Sequence, residues 1–87
     1  MNEREWNELA GRIEACARIT MALAARMEDA GVLDGPGFSE QMRLSVQPGE
    51  SSPAHLRNAQ RVLCEAADSM DAARARRAEM RRESRHD

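Results

Sequence analysis

The sequence has no lysine and no tyrosine, and its only large aromatic side chains are Trp6 and Phe38. Although 41% of the residues are apolar, many of these are alanine, which buries little area, so we expect a thin hydrophobic core. Every basic residue is arginine. An excess of arginine and alanine is typical of a GC-rich genome and does not by itself indicate a function.

Long apolar runs are also missing. No segment approaches the roughly 20 consecutive apolar residues that a membrane-spanning helix needs. The start of the chain is acidic, unlike the basic start of a signal peptide. The sequence therefore predicts a cytoplasmic protein. Its two cysteines, Cys16 and Cys64, lie far apart without a CxxC pair, which predicts buried, reduced thiols rather than a disulfide framework.

Motifs of catalysis and cofactor binding are absent. Structural zinc sites need ligands in tight local pairs, whereas Cys16, Cys64, His55 and His86 are isolated from one another. No GxxxxGK[ST] phosphate-binding loop is present among the glycines. We therefore expect no metal, no cofactor and no enzymatic activity.

The chain of 87 residues has the length of one small domain. Below about 70–80 residues a single core rarely stabilises a fold by itself, and this chain is only slightly longer. Self-association or a partner protein would supply the missing buried surface. Small chains of this kind are typical of accessory proteins of bacteria and phages.

The first helix, predicted over residues 3–31, carries the clearest pattern in the chain. Apolar or small side chains recur there at alternating steps of three and four, which places them on one helical face. They are Trp6, Leu9, Ile13, Cys16, Thr20, Leu23, Met27 and Ala30. A row of very small residues runs beside them: Ala10, Ala17, Ala24 and Gly31. Large side chains beside a row of very small ones predict close packing of this face against another helix.

Residues 32–52 are predicted to form a long connection. Ser39 could cap a short helical turn that ends near Leu44. Because a structureless loop of this length is unusual in a compact domain, we expect its apolar residues to fold back over the end of the helices. These are Val32, Leu33, Phe38, Met42, Leu44 and Val46. The alternative is that the connection is a binding loop.

The second helix is predicted over residues 52–82, with Pro53 in its first turn. Its apolar stripe again steps by three and four: Leu56, Ala59, Leu63, Ala66, Met70 and Ala73. Arg77 takes the next apolar position, so the stripe is predicted to fail there. Residues 83–87 are predicted to fray.

Charge is distributed unevenly along the chain. The first fifty residues carry five arginines and nine acids, whereas residues 74–87 carry six arginines and three acids. An antiparallel arrangement would bring Glu3, Glu5 and Glu8 near residues 76–82. The sequence therefore predicts an all-α fold in which two long antiparallel helices form a helical hairpin, and two hairpins form a homodimeric four-helix bundle of coiled-coil type.

The function that this pattern favours is a non-enzymatic interaction module, such as an adaptor, an inhibitor or an antiactivator. Trp6 either covers the open end of the hairpin with Met80 or anchors a partner, and tryptophan is enriched in interface hot spots. The candidate partner-binding residues are Trp6, Ile19, Met21, Phe38, Met42, Arg76, Arg77, Arg81 and Arg82. Two alternatives remain: a regulator that binds nucleic acid through the arginine-rich end, and a structural coiled-coil subunit.

Overall fold

The computed structural model of the chain describes residues 1–86, which form three α-helices and no β-strand. Helix α1 spans Glu3–Asp29, α2 spans Gly35–Leu44 and α3 spans Ala54–His86. The predicted all-α class is confirmed. Within this range, no helix combines the length and the apolarity needed to cross a membrane.

Helix α1 is capped at both ends by residues suited to those positions. The Asn2 side chain accepts a hydrogen bond from the backbone N–H of Glu5 at 2.8 Å and donates one to the Glu5 carboxylate at 3.2 Å. This reciprocal pair is a variant of the capping box, in which the Asn2 side-chain amide donates in place of its backbone N–H. After the helix, Gly31 has a φ of 77°, and the N–H of Val32 donates to the carbonyl of Met27 at 3.0 Å. Glycine adopts this left-handed conformation without the steric cost of a Cβ.

Helix α2 is a complete helix rather than the predicted single turn. It begins at Gly35, and its cap is Asp34, whose carboxylate accepts a hydrogen bond from the N–H of Gly37 at 3.1 Å. Pro36 lies in the first turn, where its missing N–H costs no helical hydrogen bond. The prediction that Ser39 is the cap is therefore wrong, because an earlier cap and a proline suited to the first turn start the helix sooner.

Helix α3 begins at Ala54, directly after Pro53, and extends to His86. Residues 83–86, part of the predicted tail, belong to this helix. This part of the chain is rich in good helix formers, and Arg82 pairs with Glu79 one turn earlier at 2.6 Å. The last predicted tail residue, Asp87, lies outside the described residues.

The closest packing in the molecule is between α2 and α3. The side chains of α2 that are not exposed share one face: Gly35, Phe38, Ser39, Met42 and Arg43. On α3 the predicted stripe from Leu56 to Ala73 is half-buried throughout. Ser39 of α2 and Ala67 of α3 are completely buried, and such small residues allow two helices to approach closely.

Helix α1 contacts the rest of the molecule through its last turns only. Ala24 is buried and Met21, Ala25 and Glu28 are half-buried, whereas residues 1–20 are all exposed. The predicted hairpin of α1 against α3 is therefore not confirmed in the single chain. Helix α2 occupies the α3 stripe that α1 was expected to cover.

The charge pairing expected of that hairpin is also different in the structure. Glu8 pairs with Arg12 of its own helix at 2.9 Å instead of with the end of α3. Arg77 pairs with the other end of α1, at 3.5 Å from Glu28 and 3.4 Å from Asp29. Trp6 and Met80, which the hairpin would have brought together, are both exposed.

The molecule is elongated. Its Cα radius of gyration is 16.4 Å, and its dimensions are 53 × 34 × 20 Å. A compact domain of this length would have a radius of gyration of about 12 Å. The difference arises because most of α1 and the end of α3 project from the packed region.

The packed region is as thin as the composition predicts. Among residues 1–85 the buried apolar side chains are those of Ala24 and Ala67, which are 8% and 0% exposed. The prediction of a buried Cys16 is wrong for the single chain, because that part of α1 has no covering helix; Cys64 is half-buried. In the connection, Leu33, Phe38, Met42 and Val46 are half-buried, as predicted, but Val32 and Leu44 are exposed.

Candidate functional site

A cluster of charged residues joins the three helices, and we refer to it as the polar junction. Helix α1 contributes carboxylates, α2 contributes a hydroxyl and a guanidinium, and α3 contributes groups of both signs. The members are Glu28, Asp29, Ser39, Arg43, Asp68, Asp71, Arg74 and Arg77. Because α1 has few other tertiary contacts, this cluster determines where its end lies on α3.

Arg74 is the central residue of the junction. Its Nε donates to Glu28 of α1, one of its terminal nitrogens lies 2.8 Å from Asp71, and the other lies 3.5 Å from the Ser39 hydroxyl of α2. The Arg74 and Glu28 side chains are only 22% and 19% exposed. The hydrogen bonds, led by the one to Glu28, raise the pKa of Arg74 above its ordinary value. One guanidinium thus contacts all three helices.

A glycine provides the space for the Glu28 carboxylate. Gly35, the first residue of α2, is buried, and a Cβ built on it would overlap the carboxylate of Glu28. The absence of a side chain at Gly35 therefore allows α2 to start directly against the ion pair.

Asp71 connects the second arginine of the junction. Arg43 of α2 donates to Asp71 at 2.5 Å and to Asp68 at 2.8 Å. Hydrogen bonds from Arg43, then Arg74 and Ser39, hold the pKa of Asp71 well below its ordinary value. Asp71 is thus an ionised acceptor between two guanidinium groups.

The stability of the fold should depend on pH because Asp71 must be ionised to accept hydrogen bonds from the two arginines. The folded-state pKa of Asp71 is lower than its unfolded value, so its ionisation stabilises the fold above about pH 4. That contribution is lost as the pH falls through the folded-state pKa. We expect the free energy of unfolding, measured by urea titration and circular dichroism, to decrease below about pH 4.

The variant Asp71→Asn is the control for this pH prediction. It should be less stable than the unmodified chain at neutral pH, and the difference should shrink as the pH falls, because both side chains are then uncharged. If the free energies of unfolding of the two chains differed by the same amount down to the lowest pH, the ionisation of Asp71 would not be the cause of the acid destabilisation.

Beside the junction lies an apolar cavity of about 300 Å³. Met21 and Ala24 of α1, Phe38 of α2 and Met70 of α3 line it, and the guanidinium groups of Arg74, Arg76 and Arg77 border it. The Nε atom of Arg77 is buried and lies 3.4 Å from the Asp29 carboxylate without forming a hydrogen bond. No group of three or more metal-binding side chains is placed to hold a metal ion within residues 1–86.

The second surface of interest is the exposed face of α1. We define the α1 stripe as Trp6, Leu9, Ile13, Cys16, Thr20, Leu23, Met27 and Ala30. Trp6, Ile13 and Leu23 are 57%, 62% and 59% exposed. The α1 face that meets α3 is centred about 100° away around the helix axis, at Met21, Ala24 and Glu28. The stripe is therefore not used in intramolecular packing.

The residues that the sequence singled out fall into different environments. Trp6 and Ile19 are exposed on α1, whereas Met21 and Phe38 line the cavity. Met42 is half-buried on α2. The arginines divide in the same way: Arg77 belongs to the junction, Arg76 borders the cavity, Arg81 is exposed and Arg82 pairs with Glu79. The predicted site is thus not one contiguous surface.

The sequence interpretation missed the junction itself. Arg74 entered the prediction only through the charge of residues 74–87, and no role was predicted for Glu28 or Asp29. One signal was present: Arg74 and Arg77 follow Met70 at helical spacing, and so continue the buried face of α3.

Comparisons with known proteins add no assignment. The chain matches no protein-family model, and neither the curated proteins nor the solved structures include a significant match to it.

Proposed function

We propose that this protein is a cytoplasmic, non-enzymatic interaction module, an adaptor, inhibitor or antiactivator, that binds a helical surface of a partner protein through the α1 stripe. The observation that carries the proposal is the exposure of residues 1–20 along a helix with large apolar groups on one face. Amphipathic helices bind apolar grooves and helical faces through residues at this spacing.

The amount of exposed surface supports the proposal. The chain exposes 6963 Å², whereas a compact monomer of 9.7 kDa would expose about 5,100 Å². The excess of about 1,800 Å² is larger than the roughly 800 Å² that each partner buries in a standard interface. Trp6 at one end of the stripe is of the type that most often anchors such interfaces.

The predicted homodimer and four-helix bundle belong to the same proposal. A second copy offers an identical stripe, so self-association and partner binding would compete for one surface. Such competition suits an inhibitor or antiactivator, because its free concentration then determines whether it is dimeric or bound to its target.

The alternative function is nucleic-acid binding through the end of α3. The feature in its favour is that Arg81 and Arg85, both exposed, continue the helical row of Arg74 and Arg77. Arg74 and Arg77 themselves are engaged with the carboxylates of α1. No aromatic residue follows Trp6 and Phe38, so the end of α3 has none with which to stack on bases.

The variant Ile13→Glu tests the leading function. It places a charge in the middle of the stripe, so the tagged variant should lose the protein that the unmodified chain captures from cells of its source organism. Gly11→Glu is the matched control, because it adds the same charge on the opposite face of α1, where nothing lies within 4 Å of a new side chain. It should retain the captured protein.

A third variant, with Arg81→Gln and Arg82→Gln, separates the two functions. It should still capture the partner, and the unmodified chain should not bind duplex or single-stranded DNA or RNA at low salt. Micromolar binding to nucleic acid that disappears with these arginines would overturn the proposal in favour of the alternative.

A further inference from the structure

We infer that the α1 stripe is covered by the α1 stripe of a second copy of this chain, with the two helices antiparallel and Ile13 opposite the partner's Leu23. The inference rests on the proposed function, in that both use the α1 stripe as a contact surface. It adds which molecule covers the stripe, the relative direction of the two α1 helices and the residues that lie opposite one another.

The spacing of the stripe reads the same in both directions. From Trp6 to Ala30 the steps are three, four, three, four, three, four and three. In an antiparallel pair aligned with Trp6 opposite the partner's Ala30, every stripe position therefore meets a stripe position. If one helix were shifted by two turns along the other, stripe positions at both ends would have no stripe position opposite them. The pattern thus selects one antiparallel register.

This register gives every layer of the stripe a defined pair of residues. Trp6, the largest, meets the partner's Ala30, which is among the smallest. The layers between them pair Leu9 with Met27, Ile13 with Leu23 and Cys16 with Thr20, each residue from one copy with its counterpart on the other. The large apolar pairs thus lie on both sides of two central layers formed by the smaller Cys16 and Thr20.

The two flanks of the stripe are consistent with the same register. On one flank Ala17 faces the partner's Ala17, so the backbones can approach closely at the centre of the pair. On the other flank Ile19, which is 68% exposed in the single chain, meets the partner's Ile19 at the two-fold axis.

One flank contact is unfavourable, and its cost is limited. Arg12 comes beside the partner's Arg26, a pair of like charge. Glu8 already holds Arg12 at 2.9 Å, and the pair is exposed to solvent, where the effective dielectric constant is high.

A parallel arrangement is less favourable electrostatically. It would bring Glu3, Glu5 and Glu8 of both copies to one end and align the two helix dipoles. The antiparallel arrangement separates these acidic ends by the length of α1, about 40 Å. It also places each α3, which packs beside Ala24, near the partner's Ala10.

Cross-linking of single-cysteine variants tests the register. Two variants, Ile13→Cys and Leu23→Cys, are each made in a chain that also carries Cys16→Ser and Cys64→Ser. After treatment with a short bismaleimide cross-linker, we expect covalent dimers in the equimolar mixture and none from either variant alone. In the inferred register two copies of residue 13 are offset by about 15 Å along the helices, beyond the reach of the linker.

Cross-linking of each variant with itself would overturn the antiparallel direction, and no cross-linking in the mixture would overturn the register. Light scattering of the unmodified chain gives an independent check. It should return a dimer mass at tens of micromolar, with the dissociation constant raised at least about 100-fold by Ile13→Glu and unchanged by Gly11→Glu.

A monomer mass for the unmodified chain would overturn this inference but not the proposed function, because capture of another protein that depends on Ile13 would still be observed. Conversely, a dimer with the expected cross-links and no such capture would retain the inference and remove the proposed function.

Discussion

Replacing Arg74 by alanine should lower the free energy of unfolding by about 2–3 kcal/mol. The estimate lies between the cost of breaking a buried ion pair, about 3–5 kcal/mol, and that of losing an exposed one, about 0–1 kcal/mol, because Arg74 and Glu28 retain some exposure. The variant leaves Glu28 and Asp71 without their central partner. A domain of this size has a total stability of about 4–13 kcal/mol, so the loss should be easily measured by urea titration.

The matched control is Arg82→Ala, which removes the same residue type from the same helix. Arg82 is 66% exposed and, within the described part of the chain, pairs with Glu79 one turn away, so its loss should cost less than about 0.5 kcal/mol. All titrations are to be made at one protein concentration, since self-association makes stability depend on concentration. Equal losses for the two variants would mean that the junction does not hold the helices together.

A double-mutant cycle identifies the partner of Arg74. If most of the loss comes from the pair with Glu28, then Arg74→Ala should cost much less in a chain that already carries Glu28→Ala. Additive losses would instead assign the effect of Arg74 to Asp71 and Ser39, its other contacts.

The helices themselves could be predicted because local signals specify them. Asn2 with Glu5 starts α1, and Gly31 ends it in the left-handed conformation that favours glycine. The half-buried face of α3 was also identified correctly from its apolar spacing. In each case residues within a few positions of one another determine the outcome.

The arrangement of the helices could not be predicted in the same way. The apolar spacing of α3 shows which face is covered, but either α1 or α2 could cover it. The charge of whole segments was also a poor guide. It suggested that the start of α1 meets the end of α3, whereas the pairs that form join Glu28 to Arg74 and Arg77. The net charge of a segment does not show at which end of a helix its charged residues lie.

The candidate site was missed because arginine in an apolar position was interpreted as the end of the stripe. In the structure, the buried face of α3 continues through Arg74 and Arg77, where carboxylates of α1 replace apolar partners. The glycine that makes room for one of these carboxylates gave no sequence signal, since Gly35 lies in a run with Asp34, Pro36 and Gly37 that is equally typical of a turn.

The substitution Gly35→Ala should destabilise the fold although alanine is the better helix former. Its Cβ would overlap the carboxylate of Glu28, which can move aside only by leaving Arg74 and Arg77. We expect the free energy of unfolding to fall by about 1–3 kcal/mol, after allowing up to about 1 kcal/mol for the gain in helix propensity.

Two further variants determine whether the Glu28 carboxylate is the cause of that loss. Gly11→Ala makes the same substitution on the exposed side of α1, where a Cβ meets nothing within 4 Å, and should not lower the stability. In a chain that carries Glu28→Ala, the space beside Gly35 is empty, so Gly35→Ala should become neutral or stabilising by up to about 1 kcal/mol. If Gly35→Ala costs the same with and without the Glu28 carboxylate, the glycine is required for another reason, and its assigned role in the polar junction is wrong.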